Sequence, residues 1–133
     1  MPSVIIGSPD AGGFHLDRQR FEEAAIEKFG NQATIVEVRD EQSPVDVTAQ
    51  IDRSGEPWFQ IRHFRDGGGV STDGTPDQAI EVMLWVRSVI PHESGKRVWA
   101  FDSMYNGHVE LVPGMSEDDI KAGWVDHADS PSE

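Results

Sequence analysis

The chain has 133 residues, no cysteine, and 24 acidic side chains against 11 basic ones, a formal net charge of −13. That length matches one domain burying roughly two-thirds of the surface its unfolded chain exposes, and the missing cysteines exclude a disulfide framework, a thiolate zinc site and a cysteine nucleophile. The charge disfavours nucleic acid and anionic membranes as partners, since both call for clustered Lys and Arg. It favours solubility and, beyond that, the attraction of a basic partner. The opening Met-Pro-Ser-Val-Ile-Ile-Gly lacks the basic start and long apolar stretch of a secretory signal, and nothing approaches the roughly 20 apolar residues of a membrane span, so a cytoplasmic location is expected.

Along the chain, Val4-Ile5-Ile6 reads as a short strand and 7–13 as a loop. Phe21, Ala24, Ala25 and Phe29 recur at helical spacing with Glu22, Glu23 and Glu27 turned away, which predicts a helix from about Asp17, its N-cap, to Phe29, with Gly30 as its stop. Ala33 to Val38 is rich in β-branched residues. Val45, Val47, Ala49 and Ile51 then alternate with Asp46, Thr48, Gln50 and Asp52, the pattern of an antiparallel strand with one wet face. After the turn residues 53–57, Trp58 to Phe64 returns as a strand with Phe59, Ile61 and His63 on one face. The other face carries Trp58, Gln60, Arg62 and Phe64, and it is not purely polar.

Beyond Gly67-Gly68-Gly69 and a short Val70–Thr72 strand, Thr75-Pro76-Asp77-Gln78 forms a helix start with a capping box and Pro at the first position. That helix runs to Ile90, stopped by Pro91, with Ala79, Val82, Met83, Val86, Val89 and Ile90 on its apolar stripe; Ile80 and Leu84 lie off the stripe, where a second contact would form. Arg97–Tyr105 and His108–Pro113 are expected to pair around Asn106-Gly107, the dipeptide preferred in a type I′ turn. Ser116 and Asp119 then cap a short acidic helix, with Met115 able to pack on Ile120, and a polar tail follows from His127.

Candidate chemistry is sparse. The 7–14 loop has the glycine spacing of a phosphate loop, but Gly13 and Phe14 stand where Lys and Ser or Thr are needed. Glycines 67–69 lack a basic anchor, and Ser71 fails the nucleophile-elbow spacing. His15, His63, His92, His108 and His127 share no metal-ligand spacing, and Glu117-Asp118-Asp119 does not match a calcium loop. Asp102 is expected on the face of Val98, Ala100, Met104, Val109 and Leu111, an acid among apolar neighbours. Such a group is either a tuned acid–base residue or a local cap. The four tryptophans at 58, 85, 99 and 124 are core residues, with Trp58 and Trp99 also candidates for a binding surface.

The expected fold is therefore α+β, a mainly antiparallel sheet in the order β-α-β-β-β-α-β-β-α with helices packed on one face. One domain spans 1–126, with a polar tail at 127–133. The Thr75–Pro91 helix, the following hairpin, Val112-Pro113-Gly114-Met115-Ser116 and the short acidic helix resemble, in general texture over the last half of the chain, small acidic immunity-type proteins of actinobacterial toxin loci. That resemblance implies sequestration of a toxin and carries no family residues over. The expectation is a non-enzymatic protein-binding domain for a basic protein partner, monomeric or dimeric, with no cofactor and no metal. Its binding residues would be Trp58, Phe64, Trp99, Leu84, Glu117 and Asp118. The alternative is a small enzyme or ligand-binding domain with a cleft using Asp102, His63 or His108.

Overall fold

The computed structural model describes residues 3–10, 13–90, 96–104 and 106–126. The fold is α+β: one antiparallel sheet of eight strands and three α-helices. The strands are β1 (Val4–Gly7), β2 (Ala33–Glu37), β3 (Val45–Ile51), β4 (Phe59–Phe64), β5 (Val70–Thr72), β6 (Val98–Asp102), β7 (Gly107–Leu111) and β8 (Val125–Asp126). The helices are α1 (Arg18–Phe29), α2 (Pro76–Val89) and α3 (Glu117–Gly123). Among the described residues no helix is long and apolar enough to cross a membrane.

Strand order is β2-β3-β4-β5-β1-β6-β7-β8, so the first strand lies inside the sheet, between β5 and β6. Two connections must therefore cross over other strands. α1 carries the chain from β1 to the edge strand β2, and α2 carries it from β5 across β1 to β6. Both helices lie on the face that presents Val47, Ala49, Ile51, Phe59, Ile61, Val70, Ile6, Ala100 and Val109, all of them buried. Phe21 of α1 packs on His63 of β4 at a ring distance of 5.3 Å and on Trp85 of α2 at 6.0 Å; Phe29 packs edge-on to Trp85 at 5.6 Å. Trp85 is thus where the two crossover helices meet.

Local signals explain the helix ends. Thr75 Oγ1 accepts from the Gln78 N–H at 3.3 Å while Gln78 Oε1 accepts from the Thr75 N–H at 2.9 Å, a full capping box with Pro76 at the first position. Ser116 and Asp119 form the same reciprocal pair at 3.2 and 2.8 Å. Gly30 ends α1 at φ +59°, a conformation that costs an L-residue. Asp17 holds the N-cap position of α1 without a side-chain capping bond. Pro91, Tyr105, His92, His127 and the polar tail lie outside the described residues.

The hairpin departs from expectation. Phe101 faces His108, a place that a two-residue Asn106-Gly107 turn would have assigned to Tyr105. Asp102 Oδ1 accepts from the Met104 N–H at 2.6 Å and bends the chain early, so the connection is longer. Gly107 lies in β7 without a left-handed φ. Its lack of a side chain serves packing, because a Cβ there would collide with the Trp124 indole. The displacement is an even number of residues, so Asp102 keeps the face expected for it. β8, two residues pairing with β7, was not foreseen.

Phe21, 1% exposed, joins α1 to both the sheet and α2. Phe21→Ala is expected to lower unfolding free energy by about 3–5 kcal/mol, the range for emptying a buried aromatic site. Denaturant unfolding followed by circular dichroism measures it.

Candidate functional site

On the helix-bearing face, α2 and α3 diverge over the start of β1 and leave an apolar groove of about 400 Å³. Its lining is Val4, Gly74, Pro76, Ala79, Ile80, Met83, Ile120, Lys121 and Trp124. The side chains arrive there by helical spacing: Pro76, Ala79, Ile80 and Met83 form one face of α2, while Ile120 and Trp124 are one turn apart at the end of α3. Ile80, off the core stripe in the sequence, is used here. That off-stripe position was the sole sequence signal for the groove.

Carboxylates gather around this groove. Glu117 lies one turn before Lys121 and pairs with it at 3.4 Å. Asp118 is exposed beside it; Asp77, exposed in the first turn of α2, lies instead on the side of Arg53 and Glu81. Asp102 is the cross-strand partner of Val4 and so borders the groove floor, where its carboxylate also caps Met104. Among the described residues, neither Asp77 nor Asp118 has a cation within ion-pair distance.

Contrast comes from the other side of α2, where the acids are matched. Arg53 donates to both Glu81 carboxylate oxygens at 2.9 and 3.0 Å and to Glu56 at 2.9 Å, and Lys28 reaches Glu81 at 3.3 Å. The hydrogen bond from Arg53 holds the Glu81 carboxyl below its ordinary value. A carboxylate lowered in the folded state contributes stability that is full above its unfolded value and is lost as pH falls through the folded one. Arg53→Met should therefore cost about 0.5–1 kcal/mol near neutrality. The deficit should shrink toward zero as acid protonates Glu81, checked by urea unfolding across a pH series.

The three groups of the catalytic alternative do not meet. His63 and Asp102 lie on the same face but three strands apart, about 14 Å at the usual strand spacing. His108 lies on the opposite face, stacked on Trp99 with ring centres 4.0 Å apart. His63 is closed in by partners of its own: Nδ1 is 2.7 Å from Asp46 Oδ1 and Nε2 is 2.6 Å from the Leu16 carbonyl oxygen. A carbonyl only accepts, so Nε2 donates to Leu16 while Nδ1 faces the Asp46 carboxyl. A bulge in β3 between Val45 and Val47 makes Asp46 the extra residue and turns its carboxylate to the core side. This arrangement pins the loop before α1 to the sheet.

His63→Leu would strip Asp46 and the Leu16 carbonyl of their partner and is expected to cost about 3–5 kcal/mol, the range for breaking a buried ion pair from one side. Asp46→Ala combined with His63→Leu should cost less than His63→Leu alone, because no buried charge is left over. Equilibrium unfolding of the single and double variants tests the coupling.

The expected binding residues divide between two sides of the molecule. Glu117 and Asp118 flank the groove; Leu84, half-buried on α2, lies instead against Val112–Met115. Phe64 and Trp99 belong to the face that no helix covers, in one cross-strand row with Gly69 and Gly7 between them. Trp58, 61% exposed, precedes β4. Trp99 is half-buried and its indole N–H is shielded without an acceptor among the described residues. The glycine loops are accounted for by turns: the Gly67 carbonyl accepts from the Leu16 N–H, Asp66 caps Gly68, and Asp10 binds Arg97. Among the described residues no three His, Asp or Glu side chains converge as a metal site. No family model, curated protein or solved structure matches the chain.

Proposed function

We propose that the chain is a non-enzymatic protein-binding domain, an antagonist of the immunity type that sequesters a basic protein. The observation that carries this reading is the α2–α3 groove, whose lining is apolar apart from Lys121, with Asp102 beside Val4 at its floor and Glu117 and Asp118 on the first turn of α3 beside it. Apolar floor and anionic rim complement a segment in which an apolar side chain is flanked by Lys or Arg. The net charge of −13 would draw such a partner in, because long-range attraction raises association rates. Retention would come from the apolar side chain seated in the groove, since lasting affinity resides in a few desolvated anchors. The separation of His63, Asp102 and His108 supports binding over catalysis.

The test needs the partner recovered from the source cell and the interaction measured by surface plasmon resonance. Raising salt from about 0.1 to 0.5 M should slow association tenfold or more, since the screening length falls well below its roughly 10 Å at 0.1 M. Asp118→Lys with Glu117→Lys should slow association, while Ile80→Glu should chiefly hasten dissociation. An acidic partner, an association rate indifferent to salt, or groove variants that bind as well as the parent would refute the proposal.

A further inference from the structure

The two edges of the sheet are unlike. β8 is two residues long, whereas β2 runs for five, Ala33-Thr34-Ile35-Val36-Glu37. Among the described residues no strand lies beyond either. An edge strand presents backbone N–H and C=O groups that can template another strand, and proteins blunt such edges with short strands, Pro, Lys or bulges. β8 is blunted by its length. β2 has none of these devices, since it carries no Pro or Lys and keeps an unbroken register with β3.

Which groups face outward follows from the pairing with β3. The Asp52 N–H donates to the Gln32 carbonyl at 3.0 Å and the Val38 N–H to the Asp46 carbonyl at 2.9 Å. Both pairs continue the β2–β3 register, in which Thr34 faces Gln50 and Val36 faces Thr48. Antiparallel strands alternate bonded and non-bonded pairs, so Thr34 and Val36 turn their backbone groups toward β3, and Ala33, Ile35 and Glu37 turn theirs outward. The Ala33 N–H is taken by the Gly30 carbonyl. Among the described residues the N–H groups of Ile35 and Glu37 and the carbonyls of all three meet no strand.

Symmetry and charge identify the occupant. The outward groups are centred on Ile35. A second β2, run antiparallel about that residue, pairs Ile35 with its own copy, Ala33 with Glu37, and Thr34 with Val36. The two Ile35 residues exchange both bonds, and each Glu37 N–H meets an Ala33 carbonyl. No like charges face each other, because Glu37, the one charged residue of the strand, lies opposite an alanine; its carboxylate is also 3.6 Å from both Arg18 and Arg39. Thr34 and Val36, both exposed, become β-branched cross-strand neighbours, a favoured combination in sheets. On α1, Arg18 reaches over to Glu37, Glu22 follows one turn later, and Ile26, 54% exposed, one turn after that. The stripe of α1 nearest this edge therefore ends in an apolar side chain left in water. We propose that the chain forms a two-fold homodimer through β2, which joins two eight-stranded sheets edge to edge with both sets of helices on the same face. β8 is too short to pair in the same way, so the assembly closes at two chains.

The contact is small. Five residues at about 3.4 Å each give a seam about 17 Å long, and the area it buries falls below the roughly 800 Å² per partner of a stable interface. The dimer is accordingly weak and concentration-dependent. The seam is four strands away from β1, where the α2–α3 groove lies, so failure of either reading leaves the other standing.

The experiment is sedimentation velocity on the full chain from about 10 to 500 µM, a range suited to dissociation constants above micromolar, in about 0.15 M NaCl. Amide hydrogen exchange by NMR is measured at both ends of that range. A dimer is expected at the high end, with the Ile35 and Glu37 amides protected severalfold more there than at the low end. The Thr34 and Val36 amides, bonded to β3, should be protected equally at both. Thr34→Lys with Val36→Lys sets lysines opposite each other twice across the seam. It should weaken dimerisation about fivefold or more, although two added positive charges take the net charge from −13 to −11 and reduce the overall repulsion. Thr34→Lys with Val36→Glu sets lysine against glutamate in the same register and should dimerise within about threefold of the parent. All these substitutions are at exposed sites, and the exchange pattern of the parent chain decides the matter if a variant fails to fold. A chain monomeric throughout the range, assemblies larger than two, Ile35 and Glu37 amides indifferent to concentration, or a double-lysine variant that dimerises as well as the lysine–glutamate one would overturn the proposal.

Discussion

The position of β1 inside the sheet governs the rest of this molecule. A first strand placed between β5 and β6 forces two crossovers, β1 to β2 and β5 to β6, and each needs a segment long enough to pass over intervening strands. Both segments are helices, and both lie on the same face. One side of the sheet is consequently packed by α1, α2 and α3, and among the described residues no helix lies on the other.

On the helix-bearing side, the buried Asp46–His63–Leu16 arrangement is partnered at both ring nitrogens: a bulge supplies the carboxylate, a core-facing position on β4 supplies the ring, and the loop before α1 supplies the carbonyl. An imidazole engaged at both nitrogens has neither free for a substrate. Its work is to hold three chain segments in one place, and its burial makes any single-sided loss expensive.

The helices leave a gap in their cover between α2 and α3, because α3 is short and rests on both β7 and one end of α2. Acidic residues open both helices for a local reason: Asp77, Glu117 and Asp118 occupy first helical turns, where the helix dipole favours negative charge. Once the helices are assembled, those of α3 stand beside the gap and Asp77 faces Arg53 and Glu81 on the other side of α2.

Much of the framework was legible in the amino-acid sequence because it is enforced locally. Phe21, Ala24, Ala25 and Phe29 mark α1 by spacing alone, the Thr75–Gln78 and Ser116–Asp119 boxes set two helix starts to the residue, and the 45–51 alternation marks β3, though not the wet face expected of it, since the bulge turns Asp46 to the core and Thr48 is buried. Asp102's face was also readable, since parity survives an even shift of register. What escaped depends on groups distant along the chain. Gly107 reads as a turn residue until Trp124 is seen packed against it. His63 reads as one more strand histidine until the bulge at Asp46 and the Leu16 carbonyl, 17 and 47 residues away in sequence, close on it. Local hydrogen bonds and periodicity determined the elements, whereas strand order and the α2–α3 groove were decided by tertiary structure, because each depends on which distant segments are brought side by side.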